Sequence, residues 1–200
     1  MSGASIDWPG FIAATALIEL TPGPNMAWLA GLSLSEGRRA GLAATAGIAI
    51  GLFINALVAA TGLAELIATY PGGLVWLRRC GAVLMLLLAW QAWHGSDADP
   101  RQSAEHRGFG AGLLLNLLNP KAFVFFLVVV PPFLSGGALQ LRQALLLGIV
   151  SVTIATAAHL AVVFGAAQAS GWATNPARAR LVRRAMAMLM VGVAVWFLAG

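Results

Sequence analysis

Charge is what this chain has least of. Of its 200 residues only 10% are Asp, Glu, Lys or Arg, while 60% are apolar. An ordinary soluble domain is about a quarter charged, so this composition excludes a soluble globular fold and a disordered chain alike. Cysteine is nearly absent, with Cys80 alone. That excludes a disulfide scaffold, a Cys-ligated zinc site and a CxxC redox carrier. There is no Walker A loop, no GxSxG, no HExxH and no dinucleotide fingerprint. His94, His106 and His159 are too scattered to argue for a metal site. The first seven residues carry Asp7 but no Lys or Arg, so the basic n-region of a signal peptide is missing.

What is present is apolar sequence in long runs, with a mean hydropathy of +0.84. Six segments stand out: Trp8 to Leu34, Ala40 to Thr69, Gly72 to Trp93, Phe109 to Leu134, Gln143 to Ala169 and Leu181 to Leu198. A helix crossing a bilayer takes about 20 apolar residues. No segment alternates as a barrel strand does, and backbone groups in lipid must bond within their own span. The expected fold is therefore an all-α integral membrane protein of six transmembrane helices in a single domain. The polar stretch 95–107 divides a first three-helix unit, 1–94, from a second, 108–200.

Counting Lys and Arg by loop gives the expected orientation. The loops after helices one, three and five hold eight: Arg38, Arg39, Arg101, Arg107, Arg178, Arg180, Arg183 and Arg184. The other side holds three, Arg78, Arg79 and Arg142. Odd-numbered loops are expected in the cytoplasm and both termini outside. Trp8, Trp76, Trp90, Trp93, Trp172 and Trp196 fall near the segment ends, as an aromatic belt would. The net charge of +5 sits in short clusters between apolar runs. It fits contact with anionic lipid and not nucleic-acid binding.

Two of the segments are interrupted. The first carries Thr21-Pro22-Gly23-Pro24-Asn25, and the fourth carries Asn116-Leu117-Leu118-Asn119-Pro120-Lys121. Proline removes a backbone donor and clashes with the preceding turn. In lipid the freed groups are tolerated only where they face protein, water or a ligand. An ionisable Lys121 near mid-span is a functional candidate by default, with snorkelling to an interface as the bland alternative. The breaks occupy matching places in two units of three helices. Three is odd, so a duplicated unit inserts upside down. Two inverted repeats with helices one and four broken near the midplane are the sequence pointer to a transporter site. Broken ends offer amides to a carboxylate and carbonyls to an ammonium group, and an amino acid has both.

At these residues the chain resembles the LysE/RhtB family of amino-acid exporters. The ordered pieces are Thr21 to Asn25, Gly37-Arg38-Arg39-Ala40-Gly41, Gly47-Ile48-Ala49-Ile50-Gly51, then Gly112 with Asn116 to Ala122, then Pro131 and Phe133. The resemblance implies a bacterial inner-membrane exporter of amino acids or derivatives. It implies use of the proton-motive force, no organic cofactor and frequent homodimers. It places Pro22, Gly23, Pro24, Asn25, Asn119, Pro120 and Lys121 along the substrate site, with Thr21 and Asn116 beside them. Where many relatives carry an acid this chain has Leu52, which disfavours a dibasic substrate and points to neutral amino acids. It also has Asn55 and Pro132 where many relatives have His and Gln.

Glu19 lies two residues before Thr21. It is the leading candidate for proton coupling, or else half of a structural ion pair with Lys121. His159 is the second candidate, since histidine titrates near neutral pH; its bland reading is a core histidine bonded to a neighbouring helix. Glu65 is expected at an interface. Gly47 and Gly51 form a GxxxG whose default role is close helix packing. Asn55, one turn on, is either an interhelix bond or a site residue. A cation exporter would want several carboxylates or thiols in the spans, and a membrane enzyme would want a polar cluster at one interface. The sequence supplies neither.

Overall fold

In the computed structural model, residues 6–21, 23–62, 69–70, 72–94, 102–133, 141–169 and 176–199 are described. Every regular element among them is a helix. The first apolar segment is divided into α1, Trp8–Leu20, and α2, Pro24–Glu36. Then come α3, Arg38–Ala60, and α4, Gly73–His94. The fourth apolar segment is divided into α5, Gln102–Leu117, and α6, Pro120–Val124, which continues as a π-helical turn over Phe125–Val129. A 3₁₀ turn follows at Pro131–Phe133. The chain finishes with α7, Leu141–Gln168, and α8, Pro176–Ala199.

These bounds differ from the sequence reading in two places. The polar stretch expected to be a loop as far as Arg107 is helical from Gln102, because good helix formers there extend α5 beyond its apolar part. The second segment is helical to Ala60 and turns at Thr61 and Gly62, where Gly62 takes a positive φ of 72°. Its continuation over 63–68, with Glu65, lies outside the described residues, as does Trp172.

The stretches Arg38–Ala60, Val75–His94, Leu141–Gln168 and Arg180–Ala199 are long and apolar enough to cross a membrane. Their outward faces carry large apolar side chains, including Leu86, Leu87, Trp90, Met188 and Trp196. Such surface is normal against lipid and unusual against water. The protein is a membrane protein with several apolar spans.

Glycine sets the closest helix contact. α3 packs on α5 so tightly that a Cβ on Gly47 would collide with the Phe109 carbonyl, and one on Gly112 with the Ala44 carbonyl. A Cβ on Gly51 would stand 3.0 Å from the Leu113 carbonyl. The GxxxG is a packing surface. α4 packs along α8, and α3 along α7.

Two buried apolar clusters fill the bundle. One gathers Trp28, Leu29, Ile48, Leu115, Val163 and Met190. The other gathers Phe11, Leu52, Ala122, Phe125, Leu147 and Ala155. The residues between them in sequence are polar on four strands of chain: Glu19 to Asn25, Asn55 close to Leu52, Asn116 to Lys121, and His159. A polar layer thus lies where the two apolar clusters meet.

The ends of the bundle are also distinct. At one, the Asp7 amide donates to the Phe133 carbonyl at 3.0 Å, and Phe11 packs on Phe133 with ring centres 5.9 Å apart. At the other, Arg107 meets Glu36 at 3.9 Å, Arg38 lies over the Phe164 ring, and Arg184 over Trp93.

Candidate functional site

The breaks follow from local chain chemistry. A residue before proline is pushed out of the helical region. Thr21, Gly23 and Asn119 each precede a proline, and each is extended or nearly so, with ψ of 118°, 178° and 110°. Pro24 and Pro120 then occupy the first helical turn, where no amide donor is needed. Each pair of helices is therefore stopped and restarted within a few residues.

The two breaks meet face to face. Asn25 Nδ2 donates to Asn116 Oδ1 at 2.9 Å, and Asn119 Nδ2 donates to Asn25 Oδ1 at 3.2 Å. Asn119 Oδ1 caps its own helix by accepting from the Lys121 amide at 2.9 Å. Lys121 Nζ donates to the carbonyls of Ile18 at 2.8 Å and Thr21 at 3.4 Å. Those carbonyls belong to the end of α1, which has no basic residue in its own last turn. From α3, Asn55 Nδ2 donates to the Asn116 carbonyl at 3.2 Å. Asn55 is thus an interhelix bond that fixes the end of α5.

Around this network lies a cleft whose empty space, open mouth included, is ≈ 480 Å³. Glu19, Thr21, Gly23, Pro24, Asn25, Asn116, Asn119, Lys121 and His159 all line it. Pro120 opens α6 between Asn119 and Lys121. Pro22 lies outside the described residues. Ile18, Met26, Leu52, Ala122, Phe125 and Ala155 complete the wall. Of these apolar members, sequence reading singled out only Leu52, through the resemblance. The available signal was their spacing, since Ile18, Met26, Ala122 and Phe125 flank the two breaks.

At this cleft α2 begins at Gly23 without a side-chain cap, and its first backbone bond runs from the Ala27 amide to the Gly23 carbonyl. The amides of Asn25 and Met26 therefore have no partner within the helix. Asn116 Nδ2 is buried, 2% exposed, and has no hydrogen-bond partner among the described residues. The Glu19 carboxylate lines the same cleft, as do Ile18 and Thr21, whose carbonyls accept from Lys121. Glu19 and Lys121 are within electrostatic reach but form no ion pair at 4.0 Å. His159 is buried at 3% exposure and makes no hydrogen bond to a described residue. A Cβ on Gly23 would stand 3.6 Å from Lys121 Nζ, in space that a ligand can otherwise use. No group of three or more His, Cys, Asp or Glu among the described residues is placed to hold a metal ion.

Comparison with known proteins gives a consistent account. The family model described as LysE type translocator matches residues 16–200. The homoserine/homoserine lactone efflux protein of Salmonella typhimurium is 25% identical over 189 residues, 92% of each chain. The cysteine/O-acetylserine efflux protein of Klebsiella pneumoniae is 32% identical over 126 residues, 62% of this chain and 63% of that one. An uncharacterized membrane protein of Pseudomonas aeruginosa is 27% identical over 83% of this chain and 82% of its own. No solved structure matches the chain. With its family model spanning nearly the whole sequence, this chain belongs to the LysE type translocators, which are transporters and not enzymes.

Proposed function

We propose that this protein exports amino acids or their derivatives across the bacterial inner membrane, with neutral amino acids as the preferred class. The observation that carries the reading is the docking of two broken helices around a cleft lined by amides without a helix partner, the Lys121 ammonium group and the Glu19 carboxylate. The substrate carboxylate meets the Asn25 and Met26 amides, Asn116 Nδ2 and Lys121. Its ammonium group meets Glu19 and the α1 carbonyls. Charge-assisted hydrogen bonds of this kind are the stronger ones, and a low-dielectric site strengthens them further. Two relatives are named as efflux proteins for homoserine or its lactone and for cysteine or O-acetylserine. Homoserine and cysteine are amino acids without a charged side chain, in keeping with Leu52 on this cleft's wall.

The reading includes six crossings in two inverted halves. α1 and α2 hold 13 residues each, about 20 Å apiece at 1.5 Å per residue, so only together do they span a hydrocarbon core of about 30 Å. α5 with α6 is the counterpart. Inversion accounts for the start of α1 lying on Phe133 while Glu36, at the end of α2, meets Arg107. It also accounts for the pairing of α4 with α8 and of α3 with α7. The arginine-bearing end is cytoplasmic, by the excess of positive charge there. Alternate rocking of the halves opens the cleft to each side, and inward proton movement through Glu19, with His159 beside it, drives export.

The test is efflux. Cells overproducing the protein are preloaded with mixed dipeptides, and every amino acid in the medium is quantified against cells producing Lys121→Met. Excess release of one or a few amino acids by the unaltered protein alone is expected. Equal release of every amino acid, with both proteins present in the membrane, overturns the proposal.

A further inference from the structure

Two buried hydroxyls play no part in the cleft described above. Thr15 on α1 and Ser151 on α7 are each 1% exposed, and neither Thr15 Oγ1 nor Ser151 Oγ has a hydrogen-bond partner among the described residues. Hydroxyls on helices commonly donate to the carbonyl four residues back. Ser33, Thr45 and Thr153 do so here, at 2.7, 3.0 and 2.8 Å. Thr15 and Ser151 do not. Buried polar groups are rarely left without a partner, and where protein supplies none an ordered water usually does.

Their placement gives them a role. α1 and α7 pack against each other. Phe11 on α1 and Leu147 on α7 share one buried cluster. Thr15 and Ser151 come one turn further along each helix. A further turn brings Glu19 on α1 and Ala155 on α7, and one more brings His159; all three line the cleft. Residues four apart share a helix face. The two hydroxyls therefore stand between the cleft and the end of the bundle marked by Asp7 and Phe133. The titratable groups that face the inner end of this seam are Glu19 from α1, Lys121 from α6 and His159 from α7. α3 brings only Leu52, Asn55 and Ala56 to this region, and none of them titrates.

We propose that Thr15 and Ser151 hold a short file of water that carries protons from the outer face of the membrane to the Glu19 carboxylate. The proposal rests on the proton-antiport reading given above. A hydroxyl is both donor and acceptor, so each accepts a hydrogen bond from the water outside it and donates to the water inside it. For each proton carried, an O–H bond on an outer hydronium breaks and one forms on the Glu19 carboxylate. Every water and hydroxyl between exchanges one O–H for another and is left unchanged. The carboxyl then releases the proton to the cytoplasmic side once the cleft opens there.

The test uses the purified full chain in liposomes that enclose a pH-sensitive dye. The probe is a mixture of neutral L-amino acids, each quantified inside and out. Two rates are read on the same vesicles: amino-acid exchange at equal pH, and transport driven by an imposed pH gradient together with the dye response. The combined Thr15→Val and Ser151→Ala variant is expected to keep its exchange rate and to lose at least tenfold in gradient-driven transport and dye response. Thr15→Ser with Ser151→Thr should restore both. Equal gradient-driven rates in the Val/Ala variant and the unaltered protein overturn the proton path while antiport stands. Parallel loss of exchange and gradient-driven transport also overturns it, because the two residues then serve packing. If the Val/Ala variant does not insert, Ser151→Ala alone is read by the same two rates. If the unaltered protein moves amino acids with no dye response, the antiport reading fails and the path with it. If it moves none, the export reading itself fails.

Discussion

Lys121 Nζ donates to the Ile18 carbonyl at 2.8 Å, joining residues 103 apart in the chain. It is the only lysine in the chain, and from α6 it caps the end of α1. A cation at a helix C-terminus is favourable through the aligned peptide dipoles, more so where water is scarce. The same residue lines the cleft, so one side chain both ties the two breaks together and forms part of the cleft wall.

Replacing Lys121 by Met removes both functions. Hydrogen bonds to charged groups contribute about 1.5–3 kcal/mol, so transport at subsaturating substrate should fall roughly 10- to 100-fold. Arginine at this position keeps the charge but not the compact point donor, and should recover only part. Initial efflux rates in liposomes at matched protein density give the comparison. A Met variant within twofold of the unaltered protein would remove Lys121 from the site.

Asn55 and Asn116 should separate under mutation. Asn55→Leu removes one of the two donors to the Asn116 carbonyl, the other being the Asn119 amide; the loss of one such bond is worth about 0.5–1.5 kcal/mol and should lower the thermal midpoint in detergent. Asn116→Leu removes a buried donor that has no partner among the described residues, together with the bond from Asn25. It should weaken substrate binding more than Asn55→Leu does, seen as the larger rise in KM. A larger KM effect from Asn55 would reverse the roles.

Gly47→Leu and Gly112→Leu should abolish folding into the membrane, because a Cβ at either meets the backbone of the facing helix. Backbone cannot give way as a flexible side chain can. Gly110 lies on the same helix as Gly112 but has nothing within 4 Å of an added Cβ. Gly110→Ala should insert and transport normally. Yields of monodisperse protein after extraction distinguish them.

The Arg107 and Glu36 pair is 37% exposed on both sides and 3.9 Å long. Exposed pairs of this kind are worth about 0–1 kcal/mol. A double-mutant cycle with Glu36→Gln and Arg107→Gln, read by thermal unfolding, should give a coupling below about 1 kcal/mol. A coupling of several kcal/mol would instead make this contact a lock on that end of the bundle.

Composition alone decided that this is a membrane protein, because a chain with 10% charge has too little polar surface to face water. The prolines decided where two segments break, since a pre-proline residue is biased out of the helical region; Thr21, Gly23 and Asn119 take that extended conformation. Helical spacing was enough to mark Gly47 and Gly51 as a packing face. What the sequence left open was which groups meet, because the partners are distant in the chain. Lys121 had two readings, a functional group at mid-span or a side chain snorkelling to an interface, with an ion pair as one reading of Glu19; in the structure its proton donors go to main-chain carbonyls of α1. Asn55 had two readings, and its reach to the Asn116 carbonyl makes it a brace. The bland reading of His159 expected a bond to a neighbouring helix, whereas it faces the cleft without one among the described residues. Thr15 and Ser151 read as ordinary helix residues in an apolar run. Only the fold, which buries both and leaves neither with a hydrogen-bond partner among the described residues, sets them apart. Local chain stereochemistry is written in the sequence, but the satisfaction of a buried polar atom depends on what the fold brings against it.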